Sequence, residues 1–271
     1  MTNLREPLAA LLFAVSALRV SGQQEIPTAY PSRPTVTSPA HLPPTGYLQF
    51  EQGFLNASDY AGPPGFDHQF NLNQATKIAL HDRLMVNFMS QPFVHTFLPG
   101  TTSNDPGDLQ LCIQGELVNN LEGKGIKPTV ALVYERRFRA GSLPDNDIGT
   151  NVQGTQLLVG GNLWKIHYDS SIQLNELQYG DTRRAQHGQS LLVNYNLTPR
   201  ISLGAEIWHF TQPFLRSNAV GNIYSFAYSL RSNLVLDAGI NHGLTDTSVQ
   251  WAGFAGFTYL LPHRLWPAHA H

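Results

Sequence analysis

The chain has 271 residues, enough for one large β domain or two ordinary ones. Only 13% of them are charged, about half the roughly 25% of ordinary soluble domains, and a net charge of −2 excludes a polybasic surface for nucleic acid. Low charge beside 42% hydrophobic residues suits a barrel whose outer face meets lipid and whose inner face is neutral and polar.

In chain order, residues 1–22 read as a secretory signal peptide. Arg5 supplies the n-region charge, Leu8 to Leu18 is an apolar run, and Val20-Ser21-Gly22 sets small residues before Gln23. A run of about eleven residues is short of the roughly twenty that span a bilayer as a helix. Residues 23–45 carry Pro27, Pro31, Pro34, Pro39, Pro43 and Pro44 among Ser and Thr, which disfavours helix and central strand alike. This segment is expected to be a Pro-rich periplasmic arm. No later apolar run is long enough for a transmembrane helix, so any membrane crossing falls to strands.

From Gly46 onward, period-two alternation predicts twelve strands, near 46–54, 68–80, 84–95, 107–117, 128–138, 155–162, 165–176, 187–197, 201–211, 221–230, 233–242 and 249–261. The clearest is Asn233 to His242. Leu234, Leu236, Ala238 and Ile240 share one face, Asn233, Asp237, Gly239 and Asn241 the other, and Val235 breaks the polar face. Short connections at His81-Asp82-Arg83, Leu163-Trp164, Thr198-Pro199-Arg200 and Arg231-Ser232 alternate with longer ones at 55–67, 96–106, 139–154, 177–186, 212–220 and 243–248. The connection at 118–127 departs from that rule, falling where a short turn is expected. Short turns on one side and long loops on the other is the layout of an outer-membrane barrel with both termini periplasmic.

Alternation alone also admits a β-sandwich. The ends of the apolar faces favour the barrel, because Tyr195, Tyr224, Phe226, Tyr228, Trp251, Phe257 and Tyr259 fall where an interfacial girdle belongs. The expected fold is all-β, an antiparallel up-and-down transmembrane β-barrel of about 12 strands over residues 46–261, with a C-terminal tail at 262–271.

Three stretches carry a likeness to a known family. They are Pro31-Ser32-Arg33-Pro34 leading through Leu42-Pro43-Pro44-Thr45-Gly46 into Leu48-Gln49-Phe50-Glu51; Ile201-Ser202-Leu203-Gly204-Ala205-Glu206; and Tyr228-Ser229-Leu230 followed by Leu234 to Gly243 and Trp251 to Tyr259. In these, residues 30–261 resemble the outer-membrane barrel family of the MetA pathway of phenol degradation. The chain departs from that pattern in continuing past its last strand, through Pro262 to His271. The resemblance implies a transporter-like barrel connected with aromatic compounds; its motifs are strand and turn patterns and bring no catalytic residue.

Strand parity then names candidates for the lumen wall: Glu51, Lys77, Asp108, Glu116, Lys165, His167, Asp169, Glu206, Asp237 and Asn241. Mixed signs on one wall suggest paired charges, which either line a solute path or fill the interior as a salt-bridge network. Glu135-Arg136-Arg137 cannot all face lipid, so the strand is expected to leave the membrane there, or to form a rim that attracts substrate.

An outer-membrane lipid hydrolase is the rival class. Its nearest pair, His187 and Ser190, stands three residues apart and so on opposite strand faces; only a cross-strand pair such as Ser202 with His209 or His167 remains. His263, His269 and His271 cluster in the tail, where His269 and His271 could hold an ion weakly, but Cys112 is solitary and no site with metal spacing appears. The expected function is a passive pore or transporter for small solutes, aromatic or apolar ones in view. It would need no cofactor, with outer-membrane lipid and the barrel assembly machinery as partners. A structural or adhesive barrel working through its long loops is the alternative.

Overall fold

The computed structural model describes residues 26–33, 35–60, 66–98, 100–120, 128–138 and 150–266. The signal-peptide reading of residues 1–22 and the histidines of the tail beyond 266 fall outside them. The described residues form thirteen strands: β1 (Leu48–Tyr60), β2 (Phe66–His81), β3 (Leu84–Leu98), β4 (Thr101–Asp105), β5 (Leu109–Val118), β6 (Thr129–Phe138), β7 (Thr150–Leu163), β8 (Ile166–Tyr179), β9 (Thr182–Asn196), β10 (Ile201–Gln212), β11 (Ser217–Arg231), β12 (Leu234–Gly243) and β13 (Trp251–Leu260).

Every pairing is antiparallel, and the ladder closes on itself because β1 pairs with both β2 and β13 while β2 also pairs with β3. Strands β4 and β5 lie in succession along β3, β4 on Val94–Leu98 and β5 on Leu84–Ser90, so the wall is twelve strands around. The break between them is chemical. Pro106 and Pro92 cannot donate to a ladder, and the chain bulges past both while Gly107 donates to the Gln91 carbonyl at 2.7 Å.

Polarity is inverted relative to a soluble domain. Gln49, Glu51, Gln114, Glu116, Gln173, Asn175, Gln186, Glu206 and Asp237 are buried, whereas Phe54, Phe88, Ile113, Leu132, Ile172, Leu191, Ile207, Tyr224 and Ile240 are exposed. Alternation along each strand sends the first set to the lumen and the second outward. Tyr195, Tyr228 and Tyr259 stand on the outer face toward the short turns, and Tyr134, Phe97 and Trp251 nearer the other end.

Among the described residues, several of the expected long loops are partly strand. Connection 177–186 shrinks to Gly180-Asp181 between paired Tyr179 and Thr182, and 212–220 to Pro213–Arg216. Glycine at 180 permits the positive φ of 58° that this turn requires. The strands run on there with polar residues on both faces, as in Thr182-Arg183-Arg184, so alternation of hydropathy ends before the hydrogen-bond ladder does.

Residues 26–33 and 35–45 lie inside the barrel's short-turn half. Backbone contacts fix both ends: Ala29 N donates to Ser232 O at 2.8 Å and Gly46 N to Ala79 O at 3.0 Å. Between them the arm crosses the lumen. It also supplies the apolar surface that Val235 needs, since Val235 packs with Ala29, Tyr47 and Leu260. Past β13 the chain returns to the same end, where Leu265 N donates to Gly46 O at 2.8 Å and Arg264 stacks on the Tyr47 ring.

Candidate functional site

Proline and the small polar residues keep the arm extended, with backbone N–H groups that no ladder satisfies. Inward carboxylates accept them. Glu206 accepts from Val36 N at 3.0 Å, from Thr37 N at 2.7 Å and from the Thr37 hydroxyl at 2.7 Å. The Thr37 hydroxyl also lies 2.6 Å from that of Ser190, itself 2.6 Å from Ser171 Oγ. Asp169 accepts from Ala40 N at 3.2 Å and contacts His167 Nε2 at 2.7 Å. Glu51 accepts from Ser32 N at 3.2 Å and the Ser32 hydroxyl at 3.0 Å, while Lys77 pairs with it at 2.6 Å and also reaches the Ser32 hydroxyl.

Two further acids face charged groups of the arm at longer range: Asp237 with Arg33 and Glu116 with His41, each at 3.8 Å. The arm's guanidinium lies over the paired glycines Gly53 and Gly256, where a Cβ on Gly53 would collide with it. Five of the ten residues named from strand parity therefore hold the arm, with Lys77 and His167 bracing two of them. Asp108 pairs with Arg137 at 3.7 Å, and Asn241 accepts from the indole of Trp208 at 2.9 Å. Lys165 is corrected. It sits with Trp164 in the two-residue turn between β7 and β8 and is exposed, because the hairpin turns one residue later than the alternation suggested.

On the long-loop side of the arm are two adjoining cavities of about 500 Å³ and about 370 Å³, which share Ser32, Val36, Gln110, Arg137 and Asn241. Their walls are mainly amides and hydroxyls, with one aromatic side. Trp208 is paired across the ladder with Gly221, Phe210 with Gly188 and Phe254 with Gly239, and in each case a Cβ on the glycine would run into the ring. Each aromatic therefore lies down on a bare patch of wall instead of projecting across the lumen. That keeps the chamber open.

The three consecutive charges of β6 are divided by alternation. Glu135 and Arg137 face in; Arg136 faces out, donating to Gln153 at 3.1 Å. Glu135 is a lumen residue that the expectation of an emerging strand missed, although its parity with Ala131 and Val133 was available. Ser190 is buried in the lumen and His187 exposed outside, and His209 is bound on the outer face to Asn218 at 3.0 Å. Among the described residues no group of three or more His, Cys, Asp and Glu could hold a metal.

No family model matches this sequence, and no curated protein matches it. Solved structures do. An outer-membrane channel from Pseudomonas putida F1 aligns with a TM-score of 0.60 at 13% identity, covering 82% of this chain and 98% of that one. The KdgM porin, solved in complex with disordered oligogalacturonate, aligns with a TM-score of 0.52 at 8% identity, covering 78% and 98%. The likeness is one of fold. It joins this closed twelve-strand wall to outer-membrane channels and porins.

Proposed function

We propose that the chain is a passive pore for small solutes in the outer membrane of a Gram-negative-type bacterium. The observation that carries this reading is the inverted barrel itself, apolar outside and amide-lined within, with a chamber held open beyond the arm. Residues 1–22 would direct export, the barrel assembly machinery would insert the strands, and lipid would cover the outer face. The arm then forms the narrow part of the path. Because Glu51, Asp169 and Glu206 spend their acceptor capacity on it, the wall offers a crossing solute mainly neutral amides and the faces of Trp208 and Phe210.

The resemblance to the MetA-pathway family supports aromatic or apolar solutes. An aromatic face supplies stacking surface for such rings, and the amides supply partners for a ring hydroxyl. Passage needs only a gradient. The test is the purified protein in a planar bilayer, where discrete conductance steps are expected, together with uptake of small solutes into liposomes. Silence in both assays overturns the pore.

A further inference from the structure

Glu135 stands in the chamber wall without an ion-pair partner among the described residues, 6% exposed. Three amides solvate it: Gln110 Nε2 donates at 2.8 Å, Gln156 Nε2 at 2.9 Å and Asn151 Nδ2 at 3.1 Å. A carboxylate only accepts, so these amides must present nitrogen to it. Asn151 Oδ1 and Gln156 Oε1 are left buried with no hydrogen-bond partner in the protein.

A second chain of bonds fixes one more oxygen. The Thr211 carbonyl can only accept, so Gln186 donates to it through Nε2 at 3.0 Å and turns its own oxygen to Asn175, whose Nδ2 donates at 3.1 Å. Asn175 Oδ1 is thereby forced the other way. It lies over Gly154, where a Cβ would collide with it and stand 3.0 Å from Glu135 Oε1, and it too has no partner. Two fixed acceptors, one carrying a full negative charge, thus converge above a residue that has no side chain. Such an arrangement is unfavourable unless something positive joins it.

We propose that Glu135, Asn151, Gln156 and Asn175 form a binding site for a small hard cation. All four offer oxygen, the donor set of Ca²⁺ and its hard relatives rather than of soft metals. The terminal torsions of Asn151 and Gln156 are two-fold, so a half-turn brings their carbonyl oxygens to the face of Glu135 that their nitrogens now occupy. One carboxylate among neutral oxygens sets the affinity near the weak end of such sites, with Kd on the order of 0.1–1 mM. Cys112, paired across the ladder with Glu135, sets a soft atom beside this site.

The full chain folded in detergent, titrated with Mn²⁺ and read by loss of the free-ion paramagnetic signal, should bind one ion that Ca²⁺ displaces. Glu135→Gln should weaken binding at least tenfold. Gly154→Ala should weaken it by displacing Asn175 Oδ1, and Cys112→Ala should change nothing. Gln156→Glu adds a second carboxylate and should tighten binding about tenfold, a gain that misfolding cannot imitate; heat-modifiable gel migration confirms that each variant is folded. Absence of binding in the wild type, an unchanged titration in Glu135→Gln, or loss of binding in Cys112→Ala overturns the proposal. These readouts need no conductance, so they stand apart from the pore reading. Where the barrel does conduct, a KCl gradient should give a cation-selective reversal potential that Glu135→Gln abolishes.

Discussion

At the scale of single residues, the interior is a set of buried charges whose cost depends on their partners. Glu51 and Lys77 are 2.6 Å apart with side chains 1% and 4% exposed. Removing one partner of a buried pair strands the other, at about 3–5 kcal/mol. Glu51→Gln should therefore destabilise the barrel by that amount in urea titrations, and the double change Glu51→Gln with Lys77→Met should recover most of the loss. Additive losses would mean that the two charges do not depend on one another. The aromatic wall makes a different demand. Gly221→Ala places a methyl against the Trp208 ring and should cost about 1–3 kcal/mol of overpacking. Trp208→Ala in the same chain should relieve it in the same titrations. Glu51, Glu116, Asp169, Glu206 and Asp237, which strand parity named, are buried, and period two is a property of any strand whatever covers it. It could not place Lys165, where the strand ends, or say that the carboxylates face an arm instead of a solute. Those contacts join residues up to 170 positions apart and follow no period.

At the scale of elements, the strands were legible where one face is apolar and illegible where neither is. Asn233 to His242 was read almost to its ends, and its one exception, Val235, is explained by packing on Ala29 and Tyr47. The upper parts of β8 and β9 were read as loop because Gln178, Arg183 and Arg184 give no alternation of hydropathy, while the ladder continues regardless. Proline content announced an extended arm, but composition holds no information about its route. The structure makes the arm a separable belt. It contributes no rung to the β1–β13 closure, so a chain lacking residues 26–41 should still form the barrel and show a single-channel conductance several times that of the intact chain. Cross-linking it through Thr37→Cys and Ser190→Cys in a Cys112→Ala background, at positions whose hydroxyls lie 2.6 Å apart, should leave conductance unchanged if the arm is a fixed constriction. A fall in conductance on cross-linking would instead make the arm a part that moves during passage.

For the whole molecule, the sorting of polarity sets the medium in which the fold is stable. Water on the outer wall would meet Phe54, Ile113, Leu132, Ile172 and Ile207 in turn around the barrel, far more apolar surface than a soluble monomer ordinarily exposes. Lipid removes that cost, and closure of the ladder leaves, among the described residues, only the short β4 with an open edge. This balance can be probed at neighbouring positions of β12, where Asp237 faces the lumen and Ala238 faces out near the middle of the strand. Ala238 pairs with Ala255 and Phe226, so a longer side chain there has room to extend away from the wall and meets no overpacking. Ala238→Arg should accordingly cost about 2–4 kcal/mol when the chain folds into vesicles, the penalty for a guanidinium near the bilayer midplane. The measure is a urea titration of folding into vesicles of zwitterionic lipid, with Lys165→Ala in the exposed turn as the control expected to stay within about 0.5 kcal/mol of the wild type. If Ala238→Arg were as harmless as the control, the outer wall would not be buried in hydrocarbon, and the inverted polarity would need another cover.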